Sequence, residues 1–393
     1  MIKKALLILI GGRQTPNLLT VQHLKPDIIV PIASHEALNP NDAWDKIKPS
    51  LEQLCTTGII EAPYEINAFE LSEIKKACQT AFNKYPDADW FFNITCASTI
   101  MSIGAYEVGK EKNASIWYLD TINRKVVVLQ NKQPIGSPYN ISVENYLKLY
   151  VPKINLSNEP SSLLIEFAQV LSKNCSSAMH FRDSLKNATV TQKTQTTKNL
   201  LIQSRAEWVE KILHQAKQSQ LILSYTKHPD SYFSCEVQDD RFLNFMDGKW
   251  LELYVWESAR LAGCFDDYRW DVNLSLETTT SSSSNQSNQI DFAATYLGSL
   301  LIAECKTDKN PFEKPAKNGY LDKLSSIARR IGGNYVGTMF ICSQSSTEDQ
   351  KQAYQNFSEQ AKERRIVVVT GDQLINLSTI LKNEVLRPSY NRG

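Results

Sequence analysis

Asp291, Glu304 and Lys306 have the side-chain types and the spacing for phosphoryl chemistry. The aspartate stands thirteen residues before the glutamate, and the lysine follows the glutamate by two. Successive side chains of a strand face opposite ways, so a strand through this segment projects Glu304 and Lys306 together and turns Cys305 away. A hairpin between Asp291 and Glu304 sets the aspartate beside them. Two carboxylates at one point repel unless a cation lies between them, and oxygen donors of this kind suit Mg2+ or Mn2+. The Lys306 ammonium can orient a metal-activated water and offset charge developing on a phosphate. That division of labour is what phosphodiester hydrolysis requires. A bare D…ExK pattern also arises from solvated charges at a strand end, but here it follows the apolar run Leu300–Ala303, so the charges emerge from a core.

Other segments must position this set. Gly248–Arg260 carries Trp250, Leu251, Tyr254, Val255 and Ala259 at helical spacing and can bring Glu252 as a third carboxylate. Glu257 and Glu277 are near enough in sequence to contribute. LDKLSSIARRIGG (Leu321–Gly333) reads as a helix whose apolar stripe covers a sheet while Lys323, Arg329 and Arg330 remain free for phosphates. Trp270–Leu276 alternates as a half-buried strand. Thr278–Gln289 is too polar to pack and reads as a loop, and it offers no aromatic platform for unstacked bases. Trp250, Trp256 and Trp270 fall on apolar faces and read as core. Ile290–Tyr296, Leu300–Ala303, Thr338–Cys342 and Ile366–Val369 complete an α/β unit over residues 236–393.

Near the start, GGRQTPNLLT (Gly11–Thr20) follows the apolar strand Ala5–Ile10 and opens a helix. Glycine allows close backbone approach, and a helix N-terminus offers unpaired N–H groups to phosphate. NITCASTIM (Asn93–Met101) repeats this arrangement after the strand Trp90–Phe92, with Asn, Thr and Ser side chains able to bond a base or phosphate. With Ile28–Ile32, Ile116–Leu119, Val126–Leu129 and a helix bearing Leu71, Ile74, Ala77, Cys78 and Ala81, residues 1–150 read as a doubly wound parallel sheet. Ligands bind such sheets at the carboxyl ends of strands, where both turns lie. Residues 151–235 read as a mainly helical connector. Trp208, Ile212 and Gln215 mark a helix in it, and Asn187–Asn199 an exposed polar loop.

Composition removes other classes. A chain of 393 residues implies two or three domains, and 42% hydrophobic with 22% charged residues excludes a disordered chain or a fibre. The eight cysteines include no CxxC pair, which points to reduced thiols. The five histidines form no HxH or HExxH pair, which removes histidine-based zinc chemistry. A net charge of +1 leaves any nucleic-acid contact to local patches. The opening MIKKALLILI breaks at Gly11-Gly12, too early for a signal core, and no apolar run approaches the ~20 residues of a membrane helix. The expected compartment is the cytoplasm.

At GKWLE (Gly248–Glu252), at Asp291, Glu304 and Lys306, and at Leu321–Gly333, the sequence resembles the PD-(D/E)XK nuclease domain of the DUF1887 family, effector nucleases of type III CRISPR defence. The resemblance implies a restriction-endonuclease-like fold, with Glu252, Asp291 and Glu304 as ligands of Mn2+ or Mg2+ and Lys306 as the catalytic lysine. Ile290 stands where the superfamily name has proline. The two N-terminal turns resemble the CARF domain, a Rossmann-like sensor of cyclic oligoadenylates, whose second motif usually runs N-x-T-G-G-T-K-x-M. Asn93, Thr95 and Met101 match, Ser98 is a mild change, Cys96 and Ala97 replace the glycines, and Thr99 replaces the lysine. The resemblance implies that Gly11, Gly12, Arg13, Gln14, Thr15, Asn17, Asn93, Thr95, Ser98, Thr99 and Met101 bind the cyclic nucleotide. The expected protein is an endonuclease with cyclic tetra-adenylate as allosteric activator, working as a homodimer on DNA, single-stranded or supercoiled, with RNA also in range. Two other readings stay open: a nucleotide-sensing regulator that binds DNA without cutting it, and a constitutive repair nuclease whose N-terminal half is a dimerisation scaffold.

Overall fold

Lys4–Ile10 (β1) and Ile28–Ser34 (β2) contain almost no polar side chain, are buried on both faces, and pair in parallel, as strands covered by helices on either side must. The computed structural model describes residues 2–12, 14–120, 125–130, 134–135, 140–151, 153–194, 197–204, 208–275, 287–313, 319–332, 336–346 and 348–387. Around β1 and β2 stand Ile59–Ile60 (β3), Tyr64–Ile66 (β4), Asp89–Asn93 (β5), Ser115–Asp120 (β6), Lys125–Val128 (β7) and Pro134–Ile135 (β8). They run β3-β2-β1-β5-β6-β7-β8, with β4 also on β2. The helices Thr15–Leu24 (α1), Ala43–Leu54 (α2), Leu71–Lys84 (α3) and Thr99–Glu111 (α4) connect them. The chain leaves β1 toward β2 on one side and returns to β5 on the other, so the switch point of the sheet lies between β1 and β5. The expected all-parallel sheet is corrected at one edge, where β7 and β8 are antiparallel. Only residues 121–124 separate β6 from β7, too few for the crossover that a parallel pair needs.

After Val143–Lys148 (α5) and Lys153–Asn155 (β9), residues 162–237 hold Ser162–Ser172 (α6), Cys175–Lys186 (α7), Thr189–Lys193 (β10), Lys198–Gln203 (β11), Trp208–Gln218 (α8), Ser224–His228 (β12) and Tyr232–Val237 (β13). The strands form a separate antiparallel sheet, β10-β11-β13-β12. The expected exposed loop at Asn187–Asn199 is instead largely an edge hairpin, and a sheet accompanies the helices of the segment. Its outer strand β10 is exposed throughout, so backbone pairing holds it, and it carries no hydrophobic period that a sequence reading could register.

The last unit begins with Arg241–Asn244 (α9), a π-helical turn at Phe245–Lys249, and Trp250–Ala262 (α10). Asp267–Ser275 (β14), Ser287–Tyr296 (β15) and Ser299–Lys306 (β16) form an antiparallel meander, and Val336–Cys342 (β17) and Ile366–Val369 (β18) extend it in parallel, giving the order β18-β17-β16-β15-β14-β9. Tyr320–Arg330 (α11), Lys351–Glu363 (α12) and Leu377–Leu386 (α13) cover it. The expected helix from Gly248 starts at Trp250. The expected loop to Gln289 ends earlier, because Ser287–Gln289 pair with β14; residues 276–286, Glu277 among them, lie outside the described residues.

The two faces of this sheet have different neighbours. Leu300, Ile302 and Phe340 join a core with Leu18, Leu19, Val21, Tyr146 and Leu147 from the N-terminal unit, whereas Leu301, Ala303, Phe292 and Met339 pack with α10, α6 and α13. The β15–β16 turn is seated on α1: Gly298 has φ +78°, and a Cβ there would lie 2.5 Å from Leu19 Cδ1. The Val143 N–H donates to Asp267 Oδ2 at 2.8 Å across the same junction. Replacing Gly298 with alanine therefore adds left-handed strain and a clash, and should cost about 1–3 kcal/mol in urea unfolding. An unchanged midpoint would mean that the turn is not held against Leu19.

Candidate active site and ligand-binding turns

At the end of the meander, β15 and β16 pair Phe292 with Ala303, and the next step sets Asp291 beside Glu304. The Cys305 N–H donates to Asp291 Oδ2 at 2.7 Å. Glu304 and Lys306 share one face and Cys305 is buried on the other, as the alternation requires. Glu252 reaches the same end of the sheet from α10, which packs on the opposite face. The three carboxylate residues are only 7%, 5% and 3% exposed at Glu252, Asp291 and Glu304.

Lysines neutralise them. Lys306 Nζ lies 2.6 Å from Glu304 Oε1 and 3.6 Å from Asp291 Oδ2, with the Tyr320 ring 5.2 Å away. Lys323, from α11, lies 3.0 Å from Glu304 Oε2. Lys249 lies 2.8 Å from Glu252 Oε2 and 3.1 Å from Asp271 Oδ1. Asp271 interrupts β14 in the left-handed region (φ +50°), a conformation that aspartate tolerates better than most residues. Its carboxylate also accepts from Gln289 Nε2 at 2.8 Å and Ser157 Oγ at 3.0 Å. Lys249 and Asp271 are additions to the set expected from sequence. Lys249 sits inside GKWLE, but Asp271 has no sequence signal, since alternation alone places it among the polar residues of a regular strand.

Burial pushes the Glu252 carboxyl up to about 8, with the Asp291 charge adding to the shift. Burial also raises Asp291, followed by the charge of Glu304. Burial alone would lower Lys306, but Glu304 and Asp291 outweigh it and hold the ammonium protonated. Buried oxygen donors in mutual repulsion are suited to a hard divalent cation. Among the described residues, no three Asp, Glu, His or Cys side chains gather in a ligating arrangement. Lys306 and Lys323 stand beside Glu304 instead, so a cation would have to displace an ammonium. Glu257, one of the two further candidates, is not part of the cluster: it is buried against Arg260 Nε at 2.7 Å and Gln169 Nε2 at 3.2 Å, where α10 meets α6.

The two N-terminal turns meet at the switch point. A Cβ on Gly11 would lie 2.5 Å from the Cys96 carbonyl and 2.9 Å from Ala97 Cα, so glycine is required there, whereas Gly12 faces open space. Asn93 Nδ2 donates to Asn17 Oδ1 at 2.8 Å, and Asn17 Nδ2 donates to the Leu9 carbonyl at 2.8 Å and to Gln14 Oε1 at 3.0 Å. Thr95 Oγ1 donates to Asn93 Oδ1 at 2.7 Å and accepts from the Leu119 N–H at 2.8 Å. Ser98 caps α4, accepting from the Met101 N–H at 3.2 Å, and Thr15 Oγ1 lies 3.0 Å from the Tyr150 hydroxyl. Gln14, Thr15, Asn17, Asn93 and Met101 are buried, so they hold the turns in shape. Gly12 and Thr99, exposed beside the first turns of α1 and α4, are open to a ligand. Arg13 lies outside the described residues.

An N-terminal sheet with its ligand turns at the switch point, joined to a sheet that ends in Asp, Glu and Lys, defines a sensor coupled to a nuclease. Residues 6–146 match the family model of the Card1 CARF domain, and residues 239–387 match that of the Card1-like endonuclease domain. The chain belongs to the CARF-domain nucleases. No curated protein sequence is significantly similar to it. In fold it is similar to protein VC1899 from Vibrio cholerae, with 16% identity, a TM-score of 0.75 and 99% of each chain covered. It is similar to Can2 from Sulfobacillus thermosulfidooxidans, solved in complex with cyclic tetra-adenylate, with 15% identity, a TM-score of 0.70, and 99% of this chain and 97% of that one covered. A type III CRISPR defence DNA nuclease activated by cyclic oligoadenylate aligns at 14% identity and a TM-score of 0.52, over 88% of this chain and 46% of that one. Among the described residues, no helix is long and apolar enough to cross a membrane.

The raised Glu252 has a measurable consequence without added metal. Between its ordinary value of 4.5 and about 8, the folded state holds a proton that the unfolded state has released. Stability therefore falls as pH rises through that window. The melting temperature of wild type relative to Glu252→Gln should decline from pH 5 to 8, and Mn2+ should reverse the decline; a pH-independent difference would show that Glu252 is not held protonated.

Proposed function

We propose that the protein is a metal-dependent endonuclease switched on by a cyclic oligoadenylate, cyclic tetra-adenylate by analogy with Can2, and acting in type III CRISPR defence. The observation that carries this reading is the burial of Glu252, Asp291 and Glu304 with Lys306 at one sheet end, in a chain whose other sheet holds a CARF domain. A structural cluster has no need of carboxylates strained by their own repulsion.

In this reading Glu252, Asp291 and Glu304 hold Mg2+ or Mn2+, which supplies Lewis acidity and an acidified water. Lys306 leaves Glu304, orients the attacking water, and stabilises charge on the phosphate. Lys323 leaves the other Glu304 oxygen and meets a neighbouring phosphate. Lys249 keeps Glu252 and Asp271 oriented. The substrate is DNA, single-stranded or supercoiled duplex, with RNA as the alternative strand.

The sensor spans residues 1–150, residues 151–235 join it to the nuclease, and the nuclease occupies residues 236–393. A cyclic tetranucleotide has approximate two-fold symmetry, so a homodimer presenting Gly12 and Thr99 from each subunit encloses it. Asn17, Asn93, Thr95 and Gln14 keep the two turns in register, and the helix N-termini offer N–H groups to its phosphates. With Thr99 in place of the family's lysine, these backbone donors carry more of the phosphate recognition. The ligand shifts the nuclease by its difference in affinity for the two arrangements.

Purified protein is incubated with supercoiled plasmid, single-stranded DNA or RNA, with Mn2+ or Mg2+, with and without cyclic tetra-adenylate. Cutting should need both metal and activator, and Glu304→Gln or Lys306→Ala should reduce it by about a hundredfold or more. Equal cutting without activator would make the N-terminal half a scaffold, and binding without cutting under every condition would make the protein a regulator.

A further inference from the structure

Arg182, on α7, has a side chain only 11% exposed and lies among segments that lead directly to the catalytic residues. Its Nη1 donates to the Thr307 carbonyl. Its Nε lies 2.8 Å from Asp247 Oδ1, and its Nη2 lies 3.6 Å from Asp308 Oδ1. Thr307 directly follows Lys306, and Asp247 lies in the π-helical turn that enters α10, two residues before Lys249 and five before Glu252. One guanidinium thus spans the end of the catalytic strand and the start of the Glu252 helix.

Its partners extend to the site. Thr307 Oγ1 donates to the Asp247 carbonyl at 2.9 Å, which ties the same two segments together. Asp308 Oδ2 accepts from the Tyr320 hydroxyl at 2.8 Å, and the Tyr320 ring lies 5.2 Å from Lys306 Nζ. A π-helical turn is rare and irregular, and here Gly248 leaves helical geometry altogether, so external contacts must fix where α10 begins. Lys186 Nζ, 2.5 Å from Asp247 Oδ1, gives that carboxylate a second cation but makes no ion pair with Asp308. A guanidinium can bond the Thr307 carbonyl and stay within ion-pair distance of both Asp247 and Asp308, a spread that a compact ammonium does not cover.

We propose that Arg182 is a positioning residue for the nuclease reaction, setting the separation of Lys306 from Glu252 through Thr307, Asp308 and Asp247. The proposal rests on the reading of Glu252, Glu304 and Lys306 as the catalytic set. Arg182 touches no reacting atom in this role. Its loss moves groups whose geometry the reaction needs, without removing a substrate contact.

The test uses full-length protein under conditions where wild type cuts DNA and Glu304→Gln does not. If wild type and Glu304→Gln do not differ, the catalytic reading itself fails, which separates that failure from one of Arg182. Arg182→Ala, Arg182→Lys and Asp308→Asn are compared by kcat and KM, with thermal melts, and Lys227→Ala, in an exposed ion pair with Glu210, serves as control. Arg182→Ala should lower kcat by about tenfold or more and leave KM for DNA within about threefold, as misplacement of catalytic groups does. Arg182→Lys should recover only part of kcat, and Arg182→Ala/Asp308→Asn should be no slower than the slower single variant, because both act through one unit. A kcat within about twofold of wild type in a folded Arg182→Ala, a loss confined to KM, or additive losses in the double variant would each overturn the proposal. Should Arg182→Ala fail to fold, Arg182→Lys and Asp308→Asn are judged by the same kcat criterion.

Discussion

The structure depends on keeping Glu252, Asp291 and Glu304 buried together at the end of one sheet. Removing a carboxylate from water is costly, and crowding it against another raises the cost. Lys249, Lys306 and Lys323 offset this by direct ion pairs from three different elements. Lys323 ties α11 to β16, and Lys249, which also pairs with Asp271, ties the start of α10 to β14, so these elements are held by charge as well as by their apolar faces.

The sheet behind the site serves two neighbours. Its even positions Leu300 and Ile302 face the N-terminal unit and continue to Glu304 and Lys306, and its odd positions Leu301 and Ala303 face α10 and the middle segment. The face that carries Glu304 and Lys306 is therefore the face that packs against the N-terminal unit. Leu19 on Gly298 and Asp267 on the Val143 N–H give that junction a defined register. A displacement of α1, whose first turn follows the Gly11–Gln14 loop, reaches the β15–β16 turn through direct contact. Packed cores shift between discrete arrangements rather than deforming smoothly, which suits a junction that reports ligand binding.

The ligand turns follow a related principle. The two loops at the switch point are held against each other, by Gly11 against Cys96 and by Asn17 bonded to Asn93, as the proposed ligand site would require. With their side-chain amides spent on internal bonds, the loops present mainly backbone and the small side chains at their tips.

Much of this was legible in the sequence. Runs such as Ala5–Ile10 and Leu300–Ala303 have only one good place, the interior of a sheet, and strand alternation alone joins Glu304 to Lys306 and separates Cys305. The antiparallel direction of the strand at Val126, the hairpin within Asn187–Asn199 and the extension of β15 to Ser287 were not legible. The direction in which a strand pairs, and how far an exposed polar edge strand runs, are set by backbone partners elsewhere in the chain, and pairing leaves no periodic trace. The sequence alone also determined that Asp291 and Glu304 meet, because a tight hairpin between them permits little else. Only the tertiary structure decided that Asn17 and Asn93 face inward, that Glu257 joins a structural ion pair, and that Lys249, Asp271 and Arg182 belong to the surroundings of the site. Those outcomes depend on which elements converge in space, and residues far apart in the chain carry no local signal of the charges they will meet.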